Sequence, residues 1–177
     1  MKKIFYWSPY LSNVATIRNV LNSAYSLTKY DKKSFNVYIL DVIGEWKNKK
    51  KDIKKNNLNY LRVNGLNLNI KLPISGFLKS RIYSLLIFIF NIIPLFNLLK
   101  KERPEYLIVH LLTSIPLTLL FLFNFKTKFI LRISGLPRLN IFRKILWKIV
   151  NKKLFLITCP SQETLDYMRN LEIFDNN

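Results

Sequence analysis

Tyr106–Arg138 reads YLIVHLLTSIPLTLLFLFNFKTKFILRISGLPR, and the way it divides decides the fold. Two short runs rich in Ile, Leu, Val and Phe, Tyr106–Val109 and Phe129–Ile133, have strand length and β-branched content. Between them Leu111 to Phe125 is apolar and of helical length, with Pro116 near its start. His110 closes the first run, and Arg132, Ser134 and Gly135 close the second. The pattern is strand, helix, strand, with polar residues at the carboxyl ends of the strands. Open parallel sheets bind their ligands at that edge.

The flanking sequence repeats the alternation. Ile4–Trp7 (IFYW) is the expected first buried strand, stopped by Ser8-Pro9. Ile17, Val20, Leu21 and Ala24 then recur at helical spacing, and Ser12 or Asn13 is placed to cap that helix. Doubly wound folds put a phosphate-binding turn here, but SPYLSNVATIRN has no glycine, which excludes a dinucleotide-binding fingerprint. Phe35–Val42 reads as a second strand and Tyr60–Val63 as a weaker one. Asn64-Gly65 signals a turn, and Leu66–Leu72 alternates as a short strand or extended loop. Lys79 to Lys100 is helical and apolar nearly all round, with Pro94 expected to kink or break it. Leu139 to Val150 is an amphipathic helix. Ile141, Phe142, Ile145, Leu146 and Ile149 form its apolar side, and Arg138, Arg143, Lys144, Lys148 and Lys152 lie outside. Its basic, aromatic character suits an anionic bilayer or an ordinary surface helix. Leu154–Thr158 is a further strand, and Ser161 caps a last helix with Leu165, Met168 and Leu171 inward. Five to seven strands alternating with helices predict an α/β fold, an open parallel sheet with helices on both faces.

The 177 residues fit one domain able to bury roughly 70% of the surface its unfolded chain exposes. The lone Cys159 cannot form an internal disulfide; it reads as a small buried residue at a strand end and suits a reducing compartment. One histidine and one cysteine cannot fill a zinc shell. A formal net charge of +19 favours anionic partners, although abundant Lys, Asn, Ile and Phe together are also the mark of an AT-rich coding sequence. Six of the lysines, Lys47, Lys49, Lys50, Lys51, Lys54 and Lys55, crowd one run. Such a run is a solvated loop or frayed helix, or a contact for anionic headgroups or phosphates. It lacks the interleaved aromatics and arginines of a nucleic-acid site, so no nucleic-acid partner is expected.

Ile82–Leu99 and Leu107–Phe125 are uncharged and approach the length of a membrane span, so a small two-span or membrane-associated basic protein is the alternative class. His110 divides the second segment into strand and helix, which argues against a hairpin of spans. No signal peptide is visible after Met1-Lys2-Lys3. His110 reads either as a hydrogen-bonded residue under a loop or as a site residue. Arg132, inside an apolar strand, needs an anionic ligand, a local carboxylate or backbone carbonyls.

IFYWSP followed by a helix, RPEYLIVHLLTSIPL, KFILRISGLPR and ITCPSQETLDYM occur in this order. Together they resemble the amino-terminal domain of family 4 retaining glycosyltransferases of the GT-B fold. The second piece is similar to that family's Pro-Asp-Ile-Ile-His strand end, with Glu105 where aspartate is usual. The last is similar to its Pro-Ser-x-x-Thr step. The resemblance covers essentially residues 1–177 and implies a Rossmann-like half that shapes the acceptor side of a cleft. The donor domain, with its E-x7-E pair, has no counterpart here, since Glu163 and Glu172 are separated by eight residues. The family's glycine-rich first loop is also replaced by SPYLSNVAT.

The implied activity is transfer of a sugar from a nucleotide-sugar, as metal-independent donor substrate with no cofactor, to a lipid-linked or cell-surface glycan acceptor. The resemblance makes His110 the catalytic residue at the cleft floor. It gives Ser12, Asn13, Arg132, Ser134 and Gly135 to acceptor or phosphate. A cytoplasmic location, peripheral on the inner face of an anionic membrane, follows, as does a requirement for a separate carboxy-terminal domain to complete the site.

Overall fold

The computed structural model describes residues 1–12, 14–31, 34–64, 74, 76–137 and 139–171; the side chain of Phe77 is not described. In chain order the elements are β1 Lys2–Trp7, α1 Thr16–Tyr30, β2 Phe35–Asp41, a 3-10 turn Lys47–Lys49, α2 Lys50–Lys55 and β3 Asn59–Arg62. They continue with α3 Phe77–Glu102, β4 Tyr106–Val109, α4 Ser114–Leu122, β5 Lys128–Arg132, α5 Ile141–Val150, a second 3-10 turn Asn151–Lys153, β6 Leu156–Thr158 and α6 Gln162–Asn170. The six strands form one parallel sheet in the order β3-β2-β1-β4-β5-β6. This is the predicted α/β, Rossmann-like architecture. The chain builds outward from β1 to β3, crosses back by α3, and builds outward again from β4 to β6. The order therefore reverses between β1 and β4.

Alternation along the strands separates two cores. Phe5, Trp7, Leu107, Val109, Phe129 and Leu131 face the layer that holds α3, α4 and α5. Ile4, Tyr6, Val37, Ile39 and Ile108 face α1 and α2, packing on Val20, Ala24 and Ile53. Central strands are buried on both faces and so read as continuous apolar runs.

Several expectations are corrected. Ser12 does not cap α1: the helix begins at Thr16 after Ala15, with no side-chain cap, and Ser12 is exposed in the preceding loop. Asn13 and the alternating segment 66–72 lie outside the described residues. The helix expected over Leu111–Phe125 is shorter, because Leu112 takes a left-handed conformation (φ 45°) that a helix does not accept. Pro116 falls in the first turn of α4, where no intrahelical donor is lost. That division also removes the two-span hairpin, since Leu107–Phe125 is the end of a buried strand, a turn and a nine-residue helix rather than one continuous helix. Cys159 is half-buried rather than buried. On α5 most of the apolar side faces out, unlike that of an ordinary surface helix: Ile141 is 75% and Phe142 82% exposed, Leu146 is half-buried, and Trp147 and Val150 are buried.

Pro94 does not break α3, which runs unbroken over 26 residues. A proline cannot donate to the carbonyl four residues back, here that of Phe90. The buried Asn64 replaces the missing donor, its side-chain amide reaching the Phe90 oxygen at 3.0 Å. Asn64→Ala should cost about 1–3 kcal/mol of stability by chemical denaturation. In a Pro94→Ala background, where residue 94 regains its N–H, at least half of that loss should disappear. Equal losses in both backgrounds would refute the account.

The turn after β2 is held by two buried carboxyl groups. Gly44 (φ 93°) supplies the positive φ that folds Glu45 back, so that the Val42 and Ile43 N–H groups donate to its carboxyl at 3.1 and 2.8 Å. Asp41 accepts from the Trp46 N–H at 3.0 Å and from the Tyr60 hydroxyl. Burial, and then the Asp41 charge, push the Glu45 carboxyl well above its ordinary 4.5. The folded protein thus keeps a proton that the unfolded chain releases, and this group lowers stability progressively as pH rises above 4.5. Glu45→Gln should flatten the decline in unfolding free energy between about pH 5 and 8. An unchanged slope would show that Glu45 is ionised in the fold.

Candidate functional site

The strand register assembles the site. Trp7 pairs with Val109, Val109 with Leu131, and Arg132 with Thr158. One residue further, Ser8, His110, Arg132 and Thr158 therefore form one row across four strands at the carboxyl edge. The His110 N–H, donating to the Trp7 carbonyl at 2.9 Å, carries the ladder that far. Adjacent strands are about 4.8 Å apart, so the row is roughly 14 Å long. Alternation puts all four side chains on the face that carries α1. The row beneath it, Tyr6, Ile108, Ile130 and Leu156, is apolar apart from the Tyr6 hydroxyl.

Two adjoining crevices follow these rows. One, of about 310 Å³, is lined by His110, Arg132, Ser134, Thr158, Cys159 and Asn19 of α1, among others. The second, of about 550 Å³, runs over the lower row beside Asn22, Ser23 and Ser26 of α1. The cavity is polar at the sheet edge and apolar along its floor.

His110 is 5% exposed, and neither ring nitrogen has a hydrogen-bond partner among the described residues. Its ring stacks on Tyr6, with centroids 6.0 Å apart. Burial, and then the charge of Arg132, push its pKa down to about 3. At neutral pH it is therefore an uncharged imidazole with one donor and one acceptor to offer. The buried hydroxyls of Ser8, Thr113 and Thr158 likewise have no partner among the described residues. Buried polar groups are nearly always paired, and these four lie at the ends of three strands and the start of α4.

Arg132, half-buried at the end of β5, donates from Nη1 to the Ser23 hydroxyl at 2.6 Å. Ser23 also meets the Tyr6 hydroxyl at 2.9 Å. Among the described residues no carboxylate forms an ion pair with Arg132. Its positive charge is oriented by a neutral chain and left available to an anion. Ser134 and Gly135 follow on the exposed rim.

The structure thus brings His110, Arg132 and Ser134 together, with Gly135 beside them. Ser12 does not line the crevices. Lys47, Lys49, Lys50, Lys51, Lys54 and Lys55 are all exposed, and α2 packs on the α1 face through Ile53, away from the cavity. Lys49 pairs with Asp52 at 3.5 Å and Lys50 lies over the Tyr60 ring. Sequence reasoning missed Ser8, Asn19 and Thr158. Extending the even-numbered alternation of Ile4–Tyr6 and Leu156 by one step would have found the first and last.

No protein-family model matches the sequence, and no curated protein matches it. Among solved structures, the chain is similar to the glycosyltransferase SsfS6 of Streptomyces sp. SF2575, with 10% identity and a TM-score of 0.52 over 90% of this chain and 51% of that one. It is also similar to the spinosyn rhamnosyltransferase SpnG, determined with spinosyn aglycone, with 12% identity and a TM-score of 0.50 over 86% of this chain and 40% of that one. The chain spans about half the length of these neighbours or less. It has the Rossmann-like fold of a GT-B glycosyltransferase domain.

Proposed function

We propose that this chain is the acceptor-side half of a glycosyltransferase that moves a sugar from a nucleotide-sugar to a lipid-linked or cell-surface glycan, in the manner of the family 4 retaining enzymes. The observation that supports this reading is the polar row Ser8, His110, Arg132 and Thr158 at the β1–β4 reversal, on a sheet with a GT-B-like fold. Open α/β sheets bind ligands at such a reversal.

Each side chain has a defined task in this reading. Arg132, with the Ser134 and Gly135 backbone, faces phosphate, and the charge on the leaving diphosphate is offset there without a bound metal. His110 is too weak a base at neutral pH to remove a proton efficiently, so it orients a sugar hydroxyl as a neutral partner. Thr158 satisfies a further hydroxyl along the row. Ser12 and Asn13 are assigned to the acceptor. Turnover requires an opposite, donor-holding wall, supplied by a further domain. A lipid-linked acceptor puts the working protein on the cytoplasmic face of a membrane.

Titration with UDP-glucose followed by amide NMR tests this reading. Weak binding, with Kd about 1 mM, should shift resonances at His110, Arg132–Gly135 and Thr158. Arg132→Met should weaken it roughly tenfold by removing a charge-assisted hydrogen bond. Shifts confined to Lys47–Lys55, or unchanged affinity in the variant, would refute it.

The His110 imidazole gives an independent check. Its folded pKa lies below its ordinary 6.5, so its contribution to stability is complete above that pH and is lost as pH falls toward 3. His110→Asn should remove part of the acid-side loss, on the order of a few kcal/mol, in unfolding experiments across that range. An acid limb identical to that of the parent would show that the imidazole is not held neutral.

A further inference from the structure

The outward surfaces of α3 and α5 are apolar where a soluble domain presents polar residues. On α3 the exposed residues Leu78, Ile82, Leu85, Ile89 and Ile93 follow one another at intervals of three or four and share one stripe. On α5 Ile141, Phe142, Ile145 and Ile149 form a second. Both helices belong to the same layer, flanking the buried α4. Isolated exposed apolar residues need no explanation, but two parallel stripes of them mark a contact surface.

Helix length sharpens the geometry. At 26 residues α3 is about 39 Å long, roughly twice the length of β1. Lys3 binds Glu102 at 2.8 Å and so anchors the end of α3 at the amino edge of the sheet. The first turns of α3 therefore reach the carboxyl edge, and no residue from Leu78 to Leu86 is buried. α5 starts at that edge too, directly after the Ser134–Gly135 rim. Both apolar stripes thus begin at the carboxyl edge, in the layer across the sheet from the polar crevice.

Charge decides what covers them. From Ile53 to Gln162 the only acidic residues are Glu102 and Glu105, and both are engaged by lysines at the amino edge. Around the stripes stand Lys79, Lys144, Lys148 and Lys152, all exposed. Two copies of the chain meeting on this face would set cation against cation. An anionic bilayer offers an apolar interior behind a negative headgroup layer, which matches both features.

We infer that the α3–α5 face docks on an anionic lipid bilayer as a peripheral surface, with the stripes in the headgroup–acyl boundary and the crevice on the other face of the sheet, open at its carboxyl edge. Residues Leu78–Glu102 are long and apolar enough to cross a membrane by length and composition. However, Ile87, Asn91, Leu95 and Leu99 of that helix are buried in the domain, and a span would strip them from it. The basic run Lys47–Lys55 lies on the opposite side of the sheet and is not part of this surface. This inference does not depend on the transferase reading, because it rests on the surface alone.

The test is co-sedimentation with vesicles of phosphatidylcholine containing about 30% phosphatidylglycerol, against phosphatidylcholine alone, near 0.1 M salt and without nucleotide or glycan. Partitioning should be about tenfold or more in favour of the anionic vesicles. The triple variant Ile141→Gln, Phe142→Gln, Ile145→Gln, and the pair Ile82→Gln, Leu85→Gln, should each lose about tenfold or more, with thermal midpoints retained because these side chains are exposed. Replacing Lys47, Lys49, Lys50 and Lys51 by Gln should have a much smaller effect, and carbonate should release the bound protein. The inference is overturned by stripe variants that bind like the parent or by loss of binding through the lysine-run variant alone. Carbonate resistance, or a dimer in solution that the α5 variant dissolves, would overturn it as well. Because no sugar ligand is present, either result leaves the nucleotide-sugar titration to stand or fall separately.

Discussion

The register between β1 and β4 is the constraint on which the rest of the molecule depends. A slip of one residue would turn every side chain of β4 to the other face of the sheet. Leu107 and Val109 would leave the α3–α5 core, and His110 would leave the crevice. The pairing of Trp7 with Val109, extended by the His110 N–H, therefore fixes the core and the site at once. It also fixes the reversal of strand order, because β1 then has hydrogen-bonded neighbours on both sides. The crossover from β3 must pass over the sheet, and α3 is the element that does so.

A long apolar crossover brings its own difficulties, and the structure meets them locally. Pro94 leaves a carbonyl without its helical donor, and Asn64, far away in sequence, supplies one. From Ile87 onward α3 is buried through Ile87, Asn91, Leu95 and Leu99, while its first turns project past the sheet. Length separates these two roles, since the helix is longer than the sheet it covers. The same residues that make α3 look like a span make one half a core helix and the other a surface.

The sheet was legible in the sequence because parallel strands announce themselves as short apolar runs, and IFYW, FNVYILDV, YLIV and FILRI were visible as such to within a residue of the strands that form. The His110–Arg132 pairing was legible because both sit at strand ends. What was not legible depended on partners remote in sequence. The orientation of α5 is the clearest case: its apolar stripe satisfies helical periodicity whichever way it faces, and Trp147 with Val150 won the interior. Periodicity gives a face, not the side on which the core lies. The cap of α1 failed for a different reason, since Ser12 is several residues too early once the loop after Ser8-Pro9 is built. Thr158 and Ser8 escaped notice because a lone hydroxyl at a strand end carries no signal until the register aligns it with others.

The electrostatics of two buried groups at the carboxyl edge follow one rule with opposite signs. Glu45 and His110 are both buried at the carboxyl edge, and burial favours the uncharged form of each. For Glu45 the cost is contained: backbone N–H groups and Asp41 surround it, and it locks a turn. For His110 no described residue hydrogen-bonds the ring nitrogens, and the charge of Arg132 adds to the penalty rather than relieving it. An anion bound to Arg132 would cancel that repulsion and raise the imidazole pKa, so anion binding and protonation of His110 are thermodynamically linked. A purely structural histidine would gain nothing from such an arrangement, since a hydrogen bond to the fold would serve it better. The fold instead leaves two neighbouring groups, one cationic and one neutral, each with unused hydrogen-bonding capacity toward the same crevice.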